Sequence, residues 1–178
     1  MENFMSAPVT HVIHPFAPLF DKDSRVLILG SLPSVASRKN SFYYGHPQNR
    51  FWKMLAAVFG EDIPQTIEEK TELCRRHHIA LYDVIESCDI RGSSDASIRN
   101  AKPADLDQIL SHCTIQTILC NGRSAFSLYT KHQQAKTGLE ALCMPSTSPA
   151  NAAWSLDRLI GEWKPAILHG LTDLSDED

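Results

Sequence analysis

Residue types suited to chemistry gather in three short stretches. Residues 30–55 read GSLPSVASRKNSFYYGHPQNRFWKML. Gly30 and Pro33 allow a sharp turn that leaves the amides of Ser31 and Leu32 free to face a ligand, although G-S-x-P is also an ordinary way to end a strand. No Gly-Lys follows, so the turn is not a phosphate-cradling P-loop. Phe42, Tyr43 and Tyr44 come next, and three adjacent rings in a loop are not all expected in the core. An exposed ring can stack a flat base for about 1–3 kcal/mol without reading sequence. Asn49 then opens a helix beside Arg50. An asparagine there either caps the helix or aims its amide oxygen at a water or a base edge. Arg50 and Lys53 can meet phosphate at the positive helix end, and Trp52 is expected in the core. The second stretch is Arg91–Asp95, inside a long polar segment. The third, PSTSPAN at 145–151, supplies Ser146, Thr147 and Ser148 ahead of a Pro-started helix, an arrangement that caps the helix or holds a phosphate.

These stretches need a scaffold, and the apolar pattern supplies one. RVLILG (25–30), IALYDVI (79–85), TIQTILCNG (114–122) and LEALCMP (139–145) read as four strands. Helical spacing marks 48–59, 65–78, 106–113, 123–132 and a C-terminal amphipathic helix. Strands alternating with helices predict an α/β fold: a single three-layer domain with a mainly parallel four-stranded central sheet and helices on both faces. In such a sheet ligands sit outside the carboxyl ends of the strands, which is where all three stretches fall. Residues 1–24, interrupted by Pro8, Pro15 and Pro18, are expected as an irregular arm tacked on by Phe16, Leu19 and Phe20. The domain proper is expected over 25–165, and 166–178 as an acidic tail. The polar segment 86–105 is expected as a functional or disordered loop.

Composition narrows the class. The chain of 178 residues is 43% hydrophobic and 21% charged, an ordinary globule with no run long enough to span a membrane. Its net charge of −4 hides an imbalance, because Asp173, Asp176, Glu177 and Asp178 account for the whole excess of acids over bases. Ser24 to Gly60 contains no acid and five bases: Arg25, Arg38, Lys39, Arg50 and Lys53. A neutral body with such a segment can still meet phosphates. Five dispersed cysteines, with no C-x-x-C pair and no signal-like N-terminus, read as reduced thiols, several of them, Cys120 included, in the core. They are too scattered to ligate an iron–sulfur cluster, and His77-His78 points two ways on a helix, so no metal and no cofactor is expected.

Taken together, GSLPS, YYGHPQNRFW and PSTSPAN resemble the uracil-DNA glycosylase superfamily. H-P-x-N-R-F-W is similar to a stretch of its mismatch-specific uracil/thymine branch, and the combination with G-S-x-P-S looks most like its sixth family, the hypoxanthine-DNA (DNA-deoxyinosine) glycosylases. The likeness covers roughly residues 25–165. It implies a monofunctional hydrolase of base excision repair that flips a deaminated base out of DNA, most of all hypoxanthine, and leaves an abasic site. Most branches carry a water-activating Asp or Asn where this chain has Leu32; the deoxyinosine branch shares that departure and implies Asn49 as the catalytic residue. Ser31, Leu32, Tyr44 and Ser146 are then implied as base-binding, and Arg50, Thr147, Ser148, Pro149, Ala150 and Asn151 as phosphate contacts or wedge, with Asn151 able to replace the leucine wedge that Ala150 lacks. Asn49 would position water as an acceptor, since an amide is too weak to deprotonate it; Asp83 is a second water contact or a cap. The resemblance also implies a monomer in the cytoplasm, nucleoid-associated when acting on DNA. Two alternatives stand beside it, mismatch-specific uracil removal and a non-catalytic lesion-binding module; a flavodoxin-like nucleotide binder is disfavoured by HPQNRFW.

Overall fold

The computed structural model describes residues 8–92 and 94–172. In chain order these form β1 (Val9–Ile13), β2 (Val26–Gly30), α1 (Val35–Asn40), α2 (Phe51–Phe59), α3 (Ile67–Arg76), β3 (Ile79–Asp83), β4 (Ile85–Arg91), β5 (Arg99–Pro103), α4 (Asp107–Leu110), β6 (Thr117–Asn121), α5 (Arg123–His132), α6 (Gln134–Thr137), β7 (Ala141–Met144) and α7 (Leu156–Thr172). The expected α/β architecture is present. Strands β3-β2-β6-β7 pair in that order, all parallel. Every residue of β2 and β3 is buried. Because successive side chains point to opposite faces, both faces of these strands are covered.

The helices follow from local chemistry. In α2, Phe51, Met54, Leu55 and Val58 recur at helical spacing and are buried, and Gly60 ends the helix at φ 64°. Thr66 caps α3 by accepting from the Glu69 amide at 3.1 Å, with acids in the first turn and arginines in the last. Trp52 is buried and its indole N–H donates to the Tyr43 carbonyl at 3.1 Å, as its place in α2 suggested.

Three expectations are corrected here. The N-terminal arm is not wholly irregular, since Val9–Ile13 is a strand. The polar segment is not one loop: β1, β4 and β5 form a second, antiparallel sheet. Ile85, Cys88 and Ile90 are its inward residues, while charged and polar neighbours face out. The tail expected from residue 166 is helical through Thr172, with Ile167 buried and Gly170 packed against Val26 and Thr117; the acids Asp173, Asp176, Glu177 and Asp178 lie outside the described residues. Gln133, buried between the two sheets, donates to the carbonyls of Val84 (3.1 Å) and Ala104 (2.7 Å). No helix among the described residues is long and apolar enough to cross a membrane.

Candidate active site

The parallel register assembles the site. Gly30 pairs with Asp83 across β2 and β3, and Asn121 ends β6 opposite Met144. Loops leaving these carboxyl ends enclose a cavity of about 410 Å3, a size suited to one small ligand. Of the residues singled out from sequence, Ser31, Leu32, Tyr44, Asn49, Ser146, Thr147, Ser148, Pro149 and Ala150 line it; Arg50 and Asn151 do not.

The wall nearest β2 is the expected turn. Neither the Ser31 nor the Leu32 amide donates a hydrogen bond among the described residues. Ser31 Oγ instead donates to Asp95 Oδ2 at 2.9 Å. Asp95 lines the cavity too, and the packing around its carboxyl pushes its pKa up, the hydrogen bonds of Ser31 and Ser124 pulling the other way. Asp95 stands in the connection between β4 and β5.

The three adjacent rings are more deeply packed than a loop position suggests. Tyr43 is buried and its hydroxyl donates to the Ala17 carbonyl at 3.0 Å; Phe42 stacks on Trp52. Tyr44 sits at φ 53°, a conformation that costs a non-glycine residue energy and redirects its ring into the cavity. Phe51 backs one face of that ring at a centroid distance of 4.0 Å. The Tyr44 hydroxyl is buried without a hydrogen-bond partner. Burial, and next the charge of Asp83, push its pKa far above the ordinary phenol range.

Asn49 lines the cavity and is not the N-cap expected from sequence, since Arg50 holds that position and Asn49 lies one residue before it. Its Oδ1 accepts from the Phe51 amide at 3.0 Å and from Thr147 Oγ1 at 2.8 Å. Since both partners are donors, the oxygen's orientation is fixed by them. The amide oxygen read from sequence as a water acceptor is therefore already doubly engaged, and Nδ2 is the group left for the cavity. Thr147 is fully buried and joins the loops: its Oγ1 also accepts from Asn121 Nδ2 (3.0 Å), and its amide donates to Asn121 Oδ1 (3.0 Å).

Arg50 corrects the phosphate reading. Its amide and Nε donate to the Thr147 carbonyl (3.1 and 3.4 Å), Nη2 to the carbonyls of Ser148 (2.9 Å) and Asn151 (3.1 Å), and Nη1 to that of Trp154. The guanidinium is a clamp on the 147–154 loop. Thr147 is likewise inside, and Asn151 is tied down by donating from Nδ2 to the Ser146 carbonyl at 3.0 Å. Because α7 begins only at Leu156, the hydroxyls of 146–148 do not sit at a helix start. Ser146 Oγ accepts from the Ser148 amide (3.2 Å) and Ser148 Oγ from that of Ala150 (3.2 Å), so this loop is shaped by its own hydroxyls.

Sequence reasoning missed Asn121, brought Asp95 to the site only as the end of the Arg91–Asp95 stretch and without a role, and used Arg38 only as part of a charge count. Arg38 lines the cavity with a buried Nε that has no partner. The signal for Asn121 was present, a polar residue ending an apolar strand. Nothing in the sequence ties Asp95 to Ser31. Among the described residues no group of three or more His, Cys, Asp or Glu is gathered to hold a metal.

Loops at the carboxyl ends of the parallel sheet thus form a cavity floored by a glycine and an acid and walled by a ring and amides, at the place where such sheets bind ligands. The chain belongs to the Uracil DNA glycosylase superfamily, whose family model matches residues 17–166. It is 31% identical over 156 residues to a protein named Hypoxanthine DNA glycosylase from Methanosarcina acetivorans, covering 86% of this chain and 97% of that one. A Methanosarcina barkeri protein of the same name is 37% identical over 86 residues, a match spanning 48% of this chain and 54% of that relative. The solution NMR structure of a Methanosarcina acetivorans protein, provisionally named a uracil DNA glycosylase, superposes with a TM-score of 0.76 at 31% identity, covering 89% of this chain and 99% of that one.

Proposed function

We propose that this protein is a monofunctional DNA glycosylase that hydrolyses the N-glycosidic bond of deoxyinosine in DNA, releasing hypoxanthine and leaving an abasic site. The observation that carries the reading is the convergence of the Tyr44 ring, the unoccupied Ser31 and Leu32 amides, Asn49 and Ser146 on one cavity of base-sized dimensions. It is supported by family membership and by the names of the curated relatives.

The target nucleotide is extruded at a cost of a few kcal/mol, least in a mispair. The base lies on the free face of Tyr44, whose other face is held by Phe51. The C1′–N9 bond then breaks through an oxocarbenium-like state. Its electron pair goes to the purine, and the Ser31 and Leu32 amides and the Ser146 hydroxyl stabilise that developing charge. Water adds to C1′ on the opposite side, and the proton it loses balances the one the departing purine gains. Asn49 Nδ2 donates to one lone pair of that water and leaves the other directed at C1′; Phe51 and Thr147 hold the amide still. No lysine lines the cavity among the described residues, which favours hydrolysis over Schiff-base chemistry. The mouth formed by Ser148, Pro149 and Ala150 faces the flanking phosphates. In this reading the protein works as a monomer in the cytoplasm, on nucleoid DNA.

The test is a glycosylase assay on labelled duplexes carrying one inosine or one uracil, with alkali to cut abasic products. Alkali-labile cutting at inosine is expected. Cutting at uracil alone would replace the substrate assignment, and binding without cutting at either would make the protein a lesion-binding module. Asn49→Ala is expected to lower inosine excision by at least about a hundredfold while abasic DNA is bound nearly as well; equal loss of both would remove Asn49 from the catalytic step.

A further inference from the structure

Asp83 ends β3 on the floor of the cavity, against Gly30. Its Oδ1 lies 2.5 Å from where a Cβ on Gly30 would stand, so the missing side chain of the glycine is what lets the carboxylate under the cavity. The Tyr44 hydroxyl lies 3.5 Å from the same point, which sets the ring and the carboxylate side by side. Asp83 Oδ2 is 2.7 Å from His14 Nε2, and the two side chains are 5% and 1% exposed. His14 comes from just after β1, placed by the pairing of Ile13 with Ser87 and by its own amide donating to the Glu86 carbonyl at 2.7 Å. The rings of Phe16 (4.7 Å), Tyr82 (4.7 Å) and Tyr43 (6.3 Å) enclose the imidazole. The Phe16 amide donates to His14 Nδ1 at 3.5 Å, so the ring hydrogen belongs on Nε2 and is given to Asp83. Asp83 Oδ1 has no hydrogen-bond partner among the described residues and is not shut away from the cavity. His14 lies outside the segment that the family model matches.

We propose that His14 makes the cavity floor an acceptor-only site: it fixes Asp83 through Oδ2 and leaves Oδ1 to accept the ring N–H that deamination creates. The inference rests on the function proposed above and deepens it. Deamination of adenine replaces the exocyclic amine with an oxo group and moves a hydrogen onto ring N1, where adenine carries a lone pair. A base lying on Tyr44 turns an edge to the floor. A carboxylate oxygen there accepts from hypoxanthine N1–H and repels the adenine N1 lone pair. An asparagine at position 83 would turn its oxygen to the His14 N–H and its NH2 to the base, which opposes hypoxanthine N1–H, and an Asp83 without His14 could rotate away. His14 is thus a positioning residue, and Asp83 the residue that reads the base.

The experiment uses the full chain, with single-turnover excision from duplexes carrying inosine or 1-methylinosine, and saturation-transfer NMR with free hypoxanthine, 1-methylhypoxanthine and adenine. Wild type is expected to prefer the N–H form over its N-methyl analogue by about tenfold or more, and to show transfer to hypoxanthine alone. Asp83→Asn is expected to lose about tenfold in inosine excision, while its affinity for abasic DNA holds. His14→Ala should follow it, and His14→Gln, whose amide can still donate to Oδ2, should recover much of the loss. A folded Asp83→Asn with the wild-type inosine rate would overturn the proposal, as would equal handling of the methylated base or equal transfer to adenine. Wild-type excision of uracil but not inosine would instead refute the hypoxanthine assignment and leave the inference standing, since uracil carries an N3–H to be tested against 3-methyluracil. The NMR contrast decides the matter even where no excision occurs.

Discussion

Replacing Thr147 by valine removes one hydroxyl and leaves the volume nearly unchanged, so the loss isolates that group. In the native protein the hydroxyl donates to Asn49 Oδ1 at 2.8 Å and accepts from Asn121 Nδ2 at 3.0 Å, with the side chain fully buried. Asn49 Oδ1 keeps the Phe51 amide in the variant, so that end loses one net hydrogen bond, about 1 kcal/mol. Asn121 Nδ2 loses its acceptor inside the loop junction, and an unsatisfied buried donor costs about 1–3 kcal/mol. Together this is a loss of roughly 2–4 kcal/mol, or a Tm about 4–16 °C lower for a chain of 178 residues. The same change frees the Asn49 amide, and inosine excision should fall by roughly tenfold at temperatures where the variant is folded. Thr147→Ser is the control: it keeps both hydrogen bonds and loses a single methyl, about 1 kcal/mol. Calorimetry and single-turnover excision on the three proteins measure both effects. A Thr147→Val protein that melts within a degree of wild type would refute the view that this hydroxyl joins the loops.

Arg50→Lys is expected to destabilise by about 2–4 kcal/mol, because an ammonium cannot serve the four separate carbonyls the guanidinium clamps. Since that guanidinium faces the protein, the salt dependence of DNA binding by a folded Arg50→Met protein, which lacks the charge, should match wild type; a slope reduced by about one would return Arg50 to the phosphate contacts. Gly30→Ala places a methyl 2.5 Å from Asp83 Oδ1 and should cost about 1–3 kcal/mol in stability while displacing the carboxylate, so that excision falls well beyond what unfolding explains. Stability and excision measured side by side test this, and unchanged excision would show that the carboxylate need not lie there. Alkylation of the native protein at pH 8 should label the exposed Cys143 and spare Cys120. Burial pushes the Cys120 thiol up to about 12, leaving a thiolate fraction of only ~10⁻⁴. Burial raises the Cys74 thiol further still, so it too should escape labelling, and mass spectrometry of the peptides reads the pattern.

Much of this protein is legible in its residues. The runs in β2, β3, β6 and β7 are short, apolar and bounded by turn residues, and their alternation with helical segments reads as a parallel sheet. That sheet forces the loops after Gly30, Asp83 and Met144 to one end, so the place of the cavity follows from the strand pattern alone. The residues implied as base-binding, Ser31, Leu32, Tyr44 and Ser146, do line it, with Asn49 beside them.

What escaped the sequence was pairing between distant segments. Strands β1, β4 and β5 bury only one face and carry charge on the other, so their periodicity is weak, and β4 and β5 become strands only when paired. The direction of a long polar side chain is likewise a tertiary matter. Arg50 looks like a phosphate ligand until the loop at 147–154 brings four carbonyls to its guanidinium, and Asn49 looks like a free acceptor until Thr147 arrives from 98 residues away. The joining of His14 to Asp83 across 69 residues has the same origin. Local pattern determines which segments are strands and helices, because periodicity and capping act over a few residues. Which donor meets which acceptor depends on chain segments that only the folded core brings within 3 Å, and the proposed chemistry of this protein rests on those meetings.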